Sequence, residues 1–188
     1  MPVWQEFYQK HVGNNVEVLA VAMDAQGPGK ARPYVERARA TFTNAVDEEN
    51  LLGNLYGFKA IPNGFLIDEE GVLQYMKFSG FDIRKPETAQ MVSDWARAAA
   101  GAEVSKQSEV KAPGSEHFRA IALFQEGLDL YREGATEAAL AKWREGMALE
   151  PDNYVIRKQI WAVEHPERFY ASDKVDYAWQ QEQLQKGL

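Results

Sequence analysis

The segment "KAIPNGFLIDEEGVLQYMKF", residues 59–78, is the most informative part of the N-terminal half of the chain. It contains an Ile-Pro step, an apolar run, an acidic turn closed by glycine, and a second apolar run. Two apolar runs of strand length around a short glycine-containing turn predict a β-hairpin, with strands at 63–68 and 72–80. The Ile-Pro step predicts a structured loop that leads into this hairpin, because proline restricts its own backbone and that of the preceding residue.

Helix and strand patterns alternate around this hairpin. The order of predicted elements is typical of an α/β layered domain with an antiparallel hairpin near its end, and we assign it residues 1–101. Proline and an acid at the start of the last helix, and Gly101 at its end, bound that helix. The other predicted elements are helices at 2–12, 33–42, 48–58 and 85–101, a buried strand at 16–23 and a short extended piece at 43–47.

The second half of the chain has a different pattern. Residues 102–115 are polar, lack periodicity and contain Pro-Gly, so they predict a linker between domains. Everything after this linker is helical in pattern, which predicts an all-α domain at 116–188. Its predicted helices are 116–134, 135–150, 151–165 and one around 173–186.

Composition and charge exclude several classes of partner. The chain of 188 residues is 45% apolar and 26% charged, as in ordinary globular proteins. A net charge of −7 and the lack of any basic block argue against a nucleic-acid partner and against a membrane-surface role. The longest mainly apolar stretch, 16–23, is far too short to span a bilayer, so we expect no membrane segment in this chain.

Residues that could carry out chemistry are sparse. The chain has no cysteine, which rules out a disulfide, a thiolate nucleophile and a thiolate-bound metal within it. His11, His117 and His165 are far apart in sequence, and their spacing favours packing or surface roles over metal binding. "GPG" at 27–29 predicts a turn, since no phosphate-binding motif surrounds it. We therefore assign no catalytic residue and expect no cofactor or metal.

Acidic residues cluster near the predicted strand ends. No histidine partner or metal-ligand spacing accompanies them, so we expect solvated turn and cap residues. They are Asp24, Asp47, Asp68, Glu69 and Glu70.

Three segments carry a resemblance to the thioredoxin fold. "MPVWQEFYQKHV" (1–12), "VEVLAVAMD" (16–24) and "TNAVDEENLLGNLYGFKAIPNGFLIDEEGVLQYMKFSG" (43–80) resemble TlpA/ResA-type thiol–disulfide oxidoreductases and their AhpC/TSA relatives. The resemblance implies a cis-proline loop, in which Ile61, Pro62 and Asn63 form a candidate groove for an extended peptide. Members of this family often have threonine after that proline, and the chain departs from them with Asn63.

The resemblance also implies a missing piece. In the family, Cys-x-x-Cys begins just before the helix that 1–12 resembles, and a strand that leads into it lies between those matched by 16–23 and 63–68. Three arrangements follow: the chain is a fragment, the two flanking strands pair directly, or another chain fills the gap. We favour truncation, because unpaired strand edges are costly when buried.

Residues 120–151 resemble a tetratricopeptide repeat (TPR). A single repeat rarely buries its apolar face alone, so we expect the next helix to cap it and the aromatics Tyr177 and Trp179 to fold back onto that cap. Glu126 departs from the usual leucine of the repeat. The matching residues are Gly127, Gly134, Ala139, Trp143, Gly146 and Pro151.

Two functions fit these resemblances. In the first, the chain is the cysteine-free remainder of an extracytoplasmic thiol–disulfide oxidoreductase or related antioxidant redoxin, and is redox-inactive as written. In the second, Met1 is the true start and the chain is a cytoplasmic adaptor that binds peptides or protein partners through its groove and its helical pair. Either reading predicts a protein or peptide partner, and unpaired strands or the helical domain could also form a homo-oligomer.

Overall fold

The structure is a computed structural model that describes residues 1–11, 13, 16–97, 113–171 and 175–187. An α/β half, with strands and helices in alternation, is followed by a half built of helices. The strands are β1 (Leu19–Met23), β2 (Thr43–Asp47), β3 (Gly64–Ile67) and β4 (Leu73–Lys77). The helices are α1 (Pro2–His11), α2 (Pro28–Ala38), α3 (Leu51–Tyr56), α4 (Pro86–Arg97), α5 (Ser115–Arg132), α6 (Thr136–Leu149), α7 (Tyr154–Glu164), α8 (Pro166–Phe169) and α9 (Tyr177–Gln185).

The predicted bounds of α2 were wrong. The helix begins at Pro28 rather than at Pro33, and Pro33 lies inside it. A proline fits the first helical turn because its missing N–H would have no partner there, so Pro28 starts the helix as well as Pro33 would. The helix ends at Ala38, since Arg39 adopts a left-handed backbone with φ 48°.

The linker predicted at 102–115 lies mostly outside the described residues. Pro113 and Gly114 are described, and Ser115 already belongs to α5. The last residues of the helix predicted at 85–101 also fall outside, beyond Arg97. The domain boundary therefore stays a prediction.

The four strands form two separate pairs. β1 and β2 are parallel, with Val21 opposite Ala45, and β3 and β4 are antiparallel, with Leu66 opposite Tyr75. Among the residues with described positions, β1 and β3 form no ladder with one another. The alternative in which the two flanking strands pair directly is therefore wrong for this part of the chain, and each pair has an edge without a neighbouring strand.

Two apolar cores account for most of the large buried side chains of the described residues. One core packs α1 and α4 onto the β3–β4 hairpin, through residues such as Phe7, Leu66 and Val92. The other fills the helical half, and Ala25, from the loop after β1, belongs to it. The α/β half and the helical half thus share a core at the end of β1.

Helices α5 and α6 approach closely because two glycines lie at their contact. A Cβ at Gly127 would come within 2.5 Å of the Trp143 ring and 2.9 Å of the Ala139 carbonyl oxygen. A Cβ at Gly146 would lie 2.9 Å from the carbonyl oxygen of Ala120. Trp143 is fully buried, and its indole N–H donates to the carbonyl of Phe124 at 2.9 Å. The glycines make room for this tryptophan.

The C-terminal helices add a smaller aromatic cluster. Trp179 packs edge-on against Trp161, with 5.6 Å between ring centroids, so the prediction that it folds back onto the capping helix is confirmed. The same prediction is wrong for Tyr177, which is 65% exposed at the first position of α9. None of the described helices combines the length and the apolar character that crossing a membrane requires.

Candidate functional site

The loop before the hairpin is held in place from one side. The peptide bond between Ile61 and Pro62 is cis. The Pro62 carbonyl accepts a hydrogen bond from the backbone N–H of Phe81 at 3.1 Å. The Asn63 side-chain oxygen accepts from the backbone N–H of Ser79 at 2.8 Å, so the segment after β4 anchors this loop.

Ile61 differs from its two neighbours in the loop. Its side chain is 38% exposed, although it is a large aliphatic residue. Within the described ranges, neither its backbone N–H nor its carbonyl forms a hydrogen bond. Ile61 therefore presents an apolar side chain and two free backbone groups at the same point of the surface.

An apolar groove runs from Ile61 along β1. Its volume is about 470 Å³, and residues of β1, β2 and α2 line it together with Ile61. Small side chains such as Ala20, Ala22 and Ala45 keep its floor open. Lys30 and Arg32 are the cations along its wall among the lining residues.

Asp24 lies at the carboxyl end of β1, where it binds the following turn as predicted, but the prediction that it is solvated is wrong. The side chain is half-buried, and its two oxygens accept from the Tyr170 hydroxyl at 3.0 Å and from the Gln26 backbone N–H at 2.9 Å. Burial raises the pKa of the Asp24 carboxyl, and these hydrogen bonds only partly oppose that effect. Burial also raises the pKa of Tyr170.

The other acidic residues near strand ends behave as turn and cap residues. Asp47 accepts from the backbone N–H groups of Leu51 and Leu52, at 2.9 and 2.8 Å, and so caps the start of α3. Asp68 accepts from the backbone N–H groups of the hairpin turn. Glu69 and Glu70 are exposed in that turn.

Gln159 of α7 binds the end of β1 from the helical half. Its side-chain oxygen accepts from the Ala25 backbone N–H at 2.9 Å, and its amide nitrogen donates to the Met23 carbonyl at 2.9 Å. The side chain thus pairs with the backbone as a neighbouring strand would. Nearby, the Tyr34 hydroxyl of α2 donates to the Phe169 carbonyl at 2.5 Å.

A buried charged network around Glu150 joins the α/β half to the helical half. The Glu150 carboxylate, 5% exposed, lies 2.9 Å from His117 Nδ1, 2.9 Å from Lys59 Nζ and 3.0 Å from the donating Asn153 amide. His117 Nε2 lies 3.1 Å from the Gly53 carbonyl oxygen. Both neighbours of the ring are acceptors, so His117 can donate to both only as the imidazolium.

This network sets the charge state of Glu150. Burial alone would raise the pKa of its carboxyl, but hydrogen bonds from Asn153, Lys59 and His117 outweigh burial and leave that pKa lowered. The ionised form of Glu150 is therefore the form that belongs to the folded state.

Sequence reasoning missed the residues that join the halves. The partners Asp24 and Tyr170 are 146 positions apart, and Ala25 and Gln159 are 134 apart. No local pattern links residues at such separations.

Across the described ranges, no group of three or more candidate ligands could hold a metal ion.

The six TPR-like residues do not line the groove beside Ile61. They also do not line a second, smaller cavity to which Ile61 contributes. The structure therefore does not bring the two sets of predicted residues together into one site.

Comparisons with known proteins agree with the α/β fold of the first half. Residues 1–76 match the model of the AhpC/TSA family. The chain is 25% identical over 97 residues to sporulation thiol-disulfide oxidoreductase A of Bacillus subtilis (strain 168), a match that covers 50% of this chain and 55% of that protein. The chain thus spans about half the length of this curated relative, and no solved structure matches significantly. These matches support a thioredoxin-like redoxin domain in the N-terminal half.

Proposed function

We propose that the N-terminal domain is the peptide-binding part of a thiol–disulfide oxidoreductase and that it binds an extended polypeptide at Ile61. The observation that carries this proposal is the exposed Ile61 side chain with its two free backbone groups, on a loop anchored through Pro62 and Asn63. An extended peptide can pair with such backbone groups as it would with a strand edge. The likeness to a thiol-disulfide oxidoreductase supports this class of substrate.

The groove beside Ile61 suits the side chains of such a peptide. Its 470 Å³ volume and its floor of alanines leave room for apolar side chains of the bound segment. The two cations on its wall, Lys30 and Arg32, outnumber its one acidic residue, Asp24, and so favour a peptide with an acidic residue at one end. We therefore expect the preferred substrate to be an unfolded, apolar segment with a flanking acid.

The exchanging thiols have to come from elsewhere. Disulfide exchange proceeds by attack of a thiolate on a disulfide, and none of the 188 residues is a cysteine. In this proposal residues 1–97 position the peptide, while cysteines outside the 188 residues perform the exchange.

We further propose that the helical half is a TPR-like pair whose role is to dock onto the redoxin domain. The close approach of α5 and α6 at Gly127 supports the TPR-like identity. The docking role is supported by Gln159, which binds the end of β1, and by Ala25, which packs into the helical core. A surface used for docking is not free to capture a separate peptide.

The first test uses the protein from its native source. Its intact mass and its alkylatable thiols are measured, together with its ability to reduce a synthetic peptide disulfide in the presence of dithiothreitol. We expect a mass above 21.3 kDa, alkylatable thiols and reductase activity. A native protein of 21.3 kDa without thiols would contradict the oxidoreductase role.

The second test addresses peptide binding by the 188-residue chain. The probe is reduced, carbamidomethylated insulin B chain, titrated by fluorescence anisotropy. Ile61→Asp is expected to weaken binding about tenfold or more, since truncation of a central interface residue commonly costs 1–2 kcal/mol or more. Leu55→Asp is the matched control, because Leu55 is 69% exposed and lines neither cavity. Equal weakening by both variants would contradict the assignment of the groove.

A further inference from the structure

A second, smaller cavity lies between the end of β1 and helices α7 to α9. Its volume is about 180 Å³, roughly the volume of six molecules of liquid water. Val155, Ala162 and Phe169 contribute apolar walls. Only small molecules, or the end of a longer one, can enter a space of this size.

Lys158 of α7 lines this cavity, and its ammonium is unpaired. Across the described residues it forms no hydrogen bond and no ion pair. Burial lowers its pKa, with no opposing contribution from a carboxylate. A half-buried ammonium without a partner is costly for a folded protein, so an anion bound in the cavity would be stabilised by Lys158.

Gln180 of α9 is an independent observation at the same cavity. Its side chain is 4% exposed and lines the cavity, and its amide nitrogen Nε2 has no hydrogen-bond partner in the described part of the chain. Unpaired buried donors are rare in folded proteins and call for an explanation. An acceptor bound in the cavity would supply the missing partner.

Two other polar groups of the cavity, those of Asp24 and Tyr34, are already engaged. Asp24 accepts from Tyr170 and from Gln26, and the Tyr34 hydroxyl donates to a backbone carbonyl. Lys158 Nζ and Gln180 Nε2 thus remain as donors without a partner, and one of them is a cation. A carboxyl group, that of Asp24, also lines the cavity and disfavours a dianion such as phosphate.

We propose that this cavity binds the carboxylate of a small, mostly apolar acid, with Lys158 and Gln180 as the donors to its oxygens. The acid is either free or the C-terminal residue of a peptide, and both share the same chemistry. The apolar walls and the small volume select a branched aliphatic tail. This site does not depend on the proposed thiol chemistry.

The test is calorimetric titration of the 188-residue chain with matched ligands. The probes are 4-methylvalerate, its amide, the peptide Ala-Ala-Ala-Leu and its C-terminal amide. We expect at least one of the two acids to bind, and its amide to bind about 30-fold or more weakly, because the amide lacks the charge that pairs with the ammonium. Binding of the free acid and binding of the peptide acid each support the proposal and distinguish the source of the carboxylate.

Variants separate binding from folding. Lys158→Met is expected to reduce the affinity about 30-fold or more, and Gln180→Leu about fivefold. Lys158→Met should not lower the thermal midpoint of the unliganded protein, since it removes a desolvated, unpaired charge. Lys186→Met is the matched control, because Lys186 pairs with Glu182 on the exposed face of α9 and lines neither cavity.

Three results would overturn the proposal. They are no binding of either acid, equal affinity for acid and amide, and displacement of the acid by inorganic phosphate at equal concentration. A stable Lys158→Met protein that binds the acid as the parent does would overturn it as well.

Discussion

At the scale of single residues, the packing of α5 against α6 depends on two glycines, which have no side chain. Gly127 and Gly146 lie where any Cβ would meet Trp143 or backbone atoms of the facing helix. Their small size lets Trp143 become fully buried between α5 and α6. The packing of this pair is therefore set by two positions that contribute no side chain of their own.

Gly127→Ala tests this point by stability. The new methyl group would overlap the Trp143 ring and the Ala139 carbonyl, so we expect the free energy of unfolding to fall by about 1–3 kcal/mol despite the better helix propensity of alanine. Gly29→Ala in α2 is the matched control, since a Cβ there meets nothing within 4 Å. Urea denaturation should show Gly29→Ala to be stabilised by about 0.5–1 kcal/mol. Two variants of equal stability would contradict the close approach.

The roles of residues at turns and helix ends were the features that the sequence predicted best. Gly57 ends α3 with φ 72°, a left-handed backbone that glycine adopts easily. Asp47 and Asp68 bind nearby backbone N–H groups, as turn and cap residues do. Asp24 has the same kind of local position and a local partner in Gln26, yet its second oxygen binds Tyr170 in the other half. A residue's distant partner cannot be read from the pattern around it.

At the scale of elements, hydrophobic periodicity located the strands and most helices. The hairpin at 59–78 formed where the apolar runs and the turn predicted it. The start of α2 was wrong because Pro28 and Pro33 offer two equivalent starting points, and α8 has only four residues, too few for a periodic pattern. Sheet order was not predictable either, since it depends on strand neighbours that periodicity does not encode.

The contact of α7 with β1 depends on one side chain. Gln159→Leu removes partners from the buried Ala25 N–H and from the Met23 carbonyl while the side-chain volume stays similar. Leaving such groups unpaired costs about 1–3 kcal/mol each, so we expect the free energy of unfolding to fall by about 2–4 kcal/mol in urea denaturation. Gln90→Leu is the control, since Gln90 is exposed and its side chain donates to Asp94 on the same helix. A loss no larger than that of the control would show that the contact is not a stabilising one.

At the scale of the whole molecule, the two halves are joined by buried polar groups rather than by an apolar seam alone. Glu150 and His117 of the helical half meet Lys59 and the Gly53 carbonyl of the α/β half. These four positions come from three separate stretches of sequence, none of which suggested a charged cluster. The predicted linker could not reveal docking, since docking depends on these contacts and not on the linker.

Glu150→Gln tests the joint through its pH dependence. The lowered pKa of Glu150 means that the folded state binds fewer protons than the unfolded chain near pH 4.5, its ordinary carboxyl value. The stability due to ionised Glu150 is therefore fully present above that pH and is lost as the pH falls through the lower, folded value. At pH 7 we expect Glu150→Gln to reduce the free energy of unfolding by about 1.5–3 kcal/mol, since it weakens hydrogen bonds to a charged group.

The difference in the free energy of unfolding between the parent and Glu150→Gln should then shrink as the pH falls from 5 toward 3. Urea denaturation at each pH measures this difference. Asp24, whose raised pKa gives the opposite slope, is present in both proteins, so its effect cancels in the difference. Glu126→Gln is the control, because Glu126 is 57% exposed in its pair with Lys142 and should change stability little at any pH. A difference between the parent and Glu150→Gln that stays constant down to pH 3 would mean that the buried carboxylate does not join the two halves through its charge.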